Sequence, residues 1–233
     1  RFGRPKQLLD WQGRPLVAHI ADTAWTAGLD PVTVVVGAEA DAVIPLLTAR
    51  PVEVVRNYRW QEGMSSSLYA GLAALPADVE AALFMPVDQP LITPRFLQQI
   101  LETYRDTGAG IVVPETVNGR RGTPALFSRE FFPELATLSG DVGGRALFER
   151  YSDRTVSVPV PDSDVLVDVD TPEAYEALCD RVASKELDVD LADVQGIICD
   201  MDGVLWRGET ALPGLHSFFD LIETRELNYV LVT

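Results

Sequence analysis

Apolar residues along the chain recur with two spacings that take turns. Residues 15–29, PLVAHIADTAWTAGL, have the spacing of an amphipathic helix, and Gly28 suits its C-terminal end. Residues 31–37, PVTVVVG, are a continuous β-branched run, as expected of a strand buried on both faces. Residues 39–49 read as helix, 52–57 (VEVVRN) as strand, and 65–75 (SSSLYAGLAAL) as a helix with serine caps. AALFMPVD, 81–88, is another buried strand. TPRFLQQILETYRDTG, 93–108, has Thr93 at the N-cap, Pro94 at the first helical position and Gly108 at the stop. GIVVPE, a GRRG turn, PALFS, the helix REFFPELATL and the loop SGDVGG follow. SVPVPD and VLVDVD are strand-like, and TPEAYEALCDRV repeats the Thr-Pro helix start.

Strands alternating with helices predict an α/β fold with a mostly parallel sheet wrapped by helices. Ligands of such sheets gather at the carboxyl ends of the strands. That rule places RFGRPK, VRNYRWQEGMSSS, PVDQP and DVDTP on one rim. Residues 184–195, polar and acidic, read as a linker between a domain over 1–183 and a second unit over 196–233. The second unit, GIICDMDGVLW to NYVLVT, reads as strand, loop, helix and strand, too little for a core of its own.

With 233 residues, 47% of them hydrophobic, the chain can bury a sizeable core. A net charge of −16 repels polyanions and argues against broad binding to nucleic acid or an anionic membrane. Cys179 and Cys199 are the only cysteines, and His19 and His216 the only histidines. No pair has zinc-ligand spacing, and two cysteines make no disulfide framework, so a reduced cytoplasm is the expected setting. No apolar run has the length of a membrane span, and no signal peptide is visible. Against the acidic background, Arg1, Arg4, Lys6 and Arg14 cluster in the first sixteen residues, which suggests a small anion as their partner.

Five stretches could carry chemistry. In RFGRPK, Gly3 permits close backbone approach, and Lys6 and Arg1 could cancel phosphate charge. In MPVDQP, Asp88 leaves a buried strand between two prolines, a placement that suits magnesium, which keeps waters and phosphate oxygens as its other ligands. Asp168 and Asp170 end another strand-like run and share a face if the extended geometry holds, although Asp170 could instead serve only the helix that follows. Gly63, Ser65, Ser66 and Ser67 offer backbone and hydroxyl donors to a nucleotide base or phosphate. Arg120, Arg121 and Arg145, in Gly-rich loops, could face a second anion.

Taken together and in order, R-x-G-x-P-K, G-M-S-S-S-L-x-x-G-L, P-V-D-Q-P, G-x-x-G-x-P, G-D-V-G-G-R and D-V-D-T-P-E resemble the MobA-like nucleotidyltransferases over residues 1 to about 183. The Asp-Gln-Pro triplet and the triple serine favour the molybdenum cofactor cytidylyltransferase branch. The resemblance implies a three-layer Rossmann-like fold, a Mg2+ cofactor and CTP as nucleotide. The phosphate of molybdopterin would attack the α-phosphorus, and a molybdoenzyme or chaperone could receive the product. The family's motif opens a few residues earlier, with Leu-Ala-Ala-Gly-x-Ser, so the sequence is expected to start inside it and activity is expected of a longer parent. The second metal ligand falls on Asp170 rather than Asp168, base or ribose contacts on Gly63 and Ser67, and the second-substrate loop on Arg120, Arg121, Gly122, Asp141 and Arg145. A like-charged pair about 4 Å apart repels by roughly 4 kcal/mol at an effective dielectric near 20, so two polyanions need such a cationic site in order to meet. Another phosphorylated acceptor fits the same fold.

CDMDGVLWRG, 199–208, resembles the start of a haloacid dehalogenase-type phosphatase. That resemblance implies Asp200 as nucleophile, Asp202 as acid and Thr233 as phosphate ligand. The family's later lysine and acidic pair are absent, so no phosphatase turnover is expected of this sequence. A hydrolase whose first domain only binds nucleotide is the alternative from another class.

Overall fold

The computed structural model describes residues 5–160, 163–186, 196–200, 206–207, 210–211, 215–224 and 228–232. The chain divides into two compact units, Arg1–Cys179 and Asp180–Thr233. The first opens with a short hairpin, β1 (Asp10–Trp11) and β2 (Arg14–Pro15), turned at Gln12 and Gly13, both at positive φ. Helix α1 (Leu16–Thr26), β3 (Thr33–Val36), α2 (Ala40–Val43), β4 (Glu53–Arg56), α3 (Met64–Ala74) and β5 (Ala81–Phe84) follow in strict alternation. Then come α4 (Pro94–Thr107), β6 (Ile111–Glu115), β7 (Ala125–Ser128), α5 (Phe132–Leu135), α6 (Arg145–Arg150), β8 (Thr155–Pro159) and α7 (Pro172–Glu186).

Strands β3 and β4 pair in parallel, and β5, β7, β6 and β8 form a sheet in that order. Within it β6 and β8 are parallel, while β7 runs antiparallel to both its neighbours. The expected mostly parallel sheet is therefore present with one reversed strand, which the GRRG turn makes possible by sending the chain straight back from β6. Alternation along these strands fills two faces. Val112, Leu126 and Val158 pack with Phe96 and Ile100 of α4 on one side. Ile111, Val113, Ala125 and Phe127 pack with Phe131, Leu135, Leu147 and Phe148 on the other, where Leu68 and Leu72 of α3 also lie. Helices on both faces of a central sheet give the three-layer Rossmann-like architecture.

The helix signals differ in how they hold. The Thr93 hydroxyl accepts from the Phe96 amide at 3.2 Å, and Gly108 closes α4 in the left-handed region. The Thr171 hydroxyl accepts from the Ala174 amide in the same way. The expected serine caps on 65–75 are corrected: Gly63 is the N-cap of α3, at φ 101°, and no side chain caps it. VLVDVD is also not a strand. Residues 163–166 form a 3-10 turn, and Val169 is held by a single bond from its amide to the Asp88 carbonyl, 2.8 Å. Helix α7 runs through Glu186, into the stretch expected to be linker.

In the second unit, β9 (Gly196–Asp200) pairs in parallel with β12 (Asn228–Val232), and α8 (Leu215–Thr224) lies between them in sequence. A small hairpin, β10 (Trp206–Arg207) and β11 (Thr210–Ala211), follows β9.

Phe127 is 1% exposed, meets Phe84 edge-on at a ring-centroid distance of 5.8 Å and stacks on Phe148 at 5.9 Å. Phe127→Ala should cost about 3–5 kcal/mol through lost burial and the cavity left behind. Denaturant unfolding monitored by circular dichroism checks this; a loss under 1 kcal/mol would contradict the packing described.

Candidate active site

Beyond the C-terminal ends of the strands, residues distant in sequence meet. Lys6 lies in a short 3-10 turn ahead of the first hairpin, and Asp88 lies in the loop after β5. Asp170 precedes α7. The Lys6 Nζ donates to Asp88 Oδ2 at 3.0 Å and to Asp170 Oδ1 at 2.6 Å. Both carboxylate oxygens are thus within 3.0 Å of one nitrogen and within about 6 Å of each other. Asp88 and Lys6 are mostly enclosed, whereas Asp170 is 72% exposed and opens the cluster to solvent. Burial pulls the Lys6 pKa down, but hydrogen bonds and charge from Asp170 and Asp88 outweigh it and hold the ammonium above the ordinary lysine value.

The same geometry separates Asp168 from Asp170. Val169 is fully buried between them, so the two carboxylates share a face. Asp168 accepts from Gln89 Nε2 at 2.9 Å, and Asp170 takes the lysine. Helix α7 is capped by Thr171 and makes no use of Asp170 as a cap.

The second cluster lies at the start of α3. Asn57, 5% exposed at the end of β4, donates through Nδ2 to Ser66 Oγ at 2.9 Å and to Ser67 Oγ at 3.0 Å. Ser65, expected to face a nucleotide, is instead buried, and its hydroxyl donates to the Gly140 carbonyl at 2.8 Å. Its amide reaches the same carbonyl, and a Cβ at Gly63 would come within 2.5 Å of the Gly140 backbone. Only glycine tolerates both that approach and a φ of 101°. The SGDVGG loop is therefore seated on the start of α3.

In the expected second-substrate loop, Arg121 pairs with Glu115 at 2.8 Å, and Arg145 donates to the Arg121 carbonyl at 2.5 Å. The amide of Gly122 donates to the Pro114 carbonyl. Arg120 and Asp141 are exposed, and the backbone of Arg120 closes a turn with Thr116. Arg1 and Gly3 lie outside the described residues, as do Asp202 and Thr233; Asp200 ends β9. Arg14 is a correction to the basic loop: it pairs with Asp22 at 3.1 Å and donates to His19 Nδ1 at 2.9 Å.

Sequence reasoning missed three buried polar groups. Asn57 carried the signal that found Asp88, a polar residue ending an apolar strand-like run. Gln89 lay inside a quoted motif. His19 sits on the apolar face of α1, where its Nε2 donates to the Pro90 carbonyl at 2.8 Å and so pins the loop carrying Asp88. With Arg14 donating to Nδ1, the neutral ring is the form that satisfies both bonds.

Two carboxylates converge on one lysine beyond the strand ends of a three-layer α/β domain. The comparisons with known proteins agree. Residues 1–155 match the MobA-like NTP transferase domain, and residues 197–233 match the haloacid dehalogenase-like hydrolases. The chain belongs to the MobA-like nucleotidyltransferase family. It is 32% identical over 179 residues to nicotine blue oxidoreductase of Paenarthrobacter nicotinovorans, covering 74% of this chain and 87% of that protein. The probable molybdenum cofactor guanylyltransferase of Bacillus cereus is 31% identical over 123 residues, 52% of this chain and 58% of that one. Among solved structures, Rv0371c of Mycobacterium tuberculosis H37Rv has a TM-score of 0.68 at 30% identity, covering 77% of this chain and 91% of that one. The same protein has been solved in complex with manganese, where the TM-score is 0.59 at 29% identity, covering 77% and 94%. No helix among the described residues is long and apolar enough to cross a membrane.

Burial lowers the His19 pKa first of all, the Pro90 bond opposes this, and Arg14 adds to the lowering while Asp22 resists it. The unfolded chain therefore takes up a proton that the folded chain resists. Stability from this residue is full above the unfolded value near 6.5 and declines as pH falls through it. Thermal midpoints measured from pH 7.5 to 5.5 should drop for the wild type and drop less for His19→Asn; equal slopes would contradict this role.

Proposed function

We propose that this protein transfers a nucleotidyl group, CMP from CTP, to the phosphate of molybdopterin and releases pyrophosphate. The observation that carries this reading is the convergence of Asp88 and Asp170 on the Lys6 ammonium. Transfer between two polyanions needs concentrated positive charge, and the chain's net charge of −16 means it must be built locally. Asp88 and Asp170 would hold a divalent cation, with Mg2+ the expected one. Two carboxylates suit an ion that keeps waters and phosphate oxygens as its remaining ligands, and the ammonium between them marks a place that already stabilises a cation. When bound, such an ion neutralises charge on the triphosphate and on the transition state.

The residues of the chain do the rest. Lys6, with Arg1, turns its charge to the phosphates. Gly63, Ser66 and Ser67 shape the nucleotide side at the start of α3. Asn57 donates to both serine oxygens, the Ser66 hydroxyl donates to the Gly63 carbonyl at 2.8 Å, and the Ser67 hydroxyl is the donor that would meet the nucleotide. Arg120, Gly122 and Arg145, with Arg121 and Asp141 beside them, border the place of the acceptor. Its phosphate is already ionised and attacks the α-phosphorus without a strong general base, so catalysis rests on position and charge. His19 keeps its proton for Pro90 and takes no part.

The Bacillus cereus relative supports a molybdenum cofactor acceptor, and the Asp-Gln-Pro triplet with the triple serine supports CTP over GTP. The relative named nicotine blue oxidoreductase favours a second reading, in which the same scaffold serves a redox reaction. Residues 196–233 would be the opening of a phosphatase domain, with Asp200, Asp202 and Thr233 in the roles given above, joined to the transferase through residues 184–195.

Pyrophosphate release by the full-length protein, measured with each nucleoside triphosphate with and without molybdopterin, tests the proposal. CTP with molybdopterin should give the highest rate, and Asp88→Asn should lower it by about a hundredfold or more. Pyrophosphate release from no nucleotide, alongside reduction or oxidation of an aromatic substrate, would overturn this reading in favour of the second.

A further inference from the structure

Gln89 is 4% exposed, yet its side-chain amide is committed at both ends. Nε2 donates to Asp168 Oδ1 at 2.9 Å and, more weakly, to the Leu166 carbonyl at 3.5 Å. Oε1 accepts from the Thr123 hydroxyl at 3.3 Å. Three chain segments therefore meet at one side chain: the loop after β5, the stretch leading into α7 and the turn leading into β7. No β-ladder joins the first two, because residues 167–170 are not a strand, and the backbone tie between them is the single bond from Val169 to Asp88. A buried amide that is fully paired has one orientation, and turning it over would set the NH2 against Thr123 and the carbonyl against the Asp168 carboxylate.

We propose that Gln89 is a positioning residue, whose amide sets the spacing of Asp88 and Asp170 by gripping Asp168 and ties that spacing to Thr123 in the acceptor loop. The inference rests on the reading of Asp88 and Asp170 as cation ligands. Asp88 is the immediate neighbour of Gln89, and Asp170 is two residues from Asp168 on the same face. A displacement at the Gln89–Asp168 bond is therefore passed to both carboxylates. The Thr123 hydroxyl gives the acceptor side a mechanical connection to the same unit. Its consequence is that the loop sequence Gly-Thr-Pro and the metal-side triplet Asp-Gln-Pro are matched to each other and should be exchanged together.

The test is Mn2+ affinity read by electron paramagnetic resonance, with the folded state checked by thermal unfolding. Gln89→Met keeps length and volume and removes all three side-chain hydrogen bonds. It should weaken Mn2+ binding by about tenfold, the lower end of what loss of a supporting hydrogen bond costs a metal site, and lower kcat while the nucleotide KM holds. Gln89→Glu sets two carboxylates against each other and should weaken binding further. Gln89→Glu combined with Asp168→Asn restores the bond with its polarity reversed, and should recover affinity to within about threefold of wild type. Affinity in folded Gln89→Met within twofold of wild type, or a double variant no better than Gln89→Glu, would overturn the proposal. Should Gln89→Met not fold cooperatively, Thr123→Val removes only the outer bond; an unchanged kcat there would also overturn it. A wild type that binds no Mn2+ would instead overturn the metal reading itself, and this inference with it.

Discussion

Everything at the site depends on one ammonium placed between two carboxylates. Lys6 is 82 residues from Asp88 and 164 from Asp170, so the contact closes the first unit on itself from three distant points. Two carboxylates this close repel unless a cation lies between them, and the protein supplies its own. The same arrangement explains how an acidic chain can prepare a place for a triphosphate. On the proposed reading the carboxylates hold that positive charge in reserve, and a divalent ion would take over the duty while the lysine turns to the phosphates. His19, Gln89 and the buried Val169 serve this contact indirectly, by fixing the two loops that carry the acids.

The strands and helices that bear the site were legible because their signals are local. A β-branched run ending in a polar residue marks a strand end on the rim, and Thr-Pro marks a helix start. Those two rules bring Asp88 and the pair Asp168 and Asp170 to the rim, and the choice of Asp170 over Asp168 is what the family resemblance implies. What was not legible depends on partners far away in sequence. VLVDVD alternates as a strand should, and the alternation does survive: 168 and 170 face the site while 169 enters the core. Its backbone meets the loop after β5 through the bond from Val169 to Asp88 and forms no ladder there. Three serines before a helix look like caps, yet the close approach of the Gly140 loop forces glycine into the cap position and turns Ser65 inward. Arg14 reads as part of a basic loop, but Asp22 and His19 claim it.

The relatives show how far a scaffold can be separated from a reaction. A protein named for an oxidoreductase and one named for a guanylyltransferase share this fold, and the sequence similarity extends well beyond the rim. Overall identity therefore does not choose the reaction, and the proposed function rests on the contact of Lys6 with Asp88 and Asp170.

The most direct test of the account is Mn2+ binding to Lys6→Met in the absence of nucleotide. If the lysine is the counter-ion that a metal displaces, its removal leaves the pair unopposed and Mn2+ should bind about tenfold more tightly than to the wild type. Binding that is unchanged or weaker would show that the ammonium and the metal do not share a place, and would contradict the account.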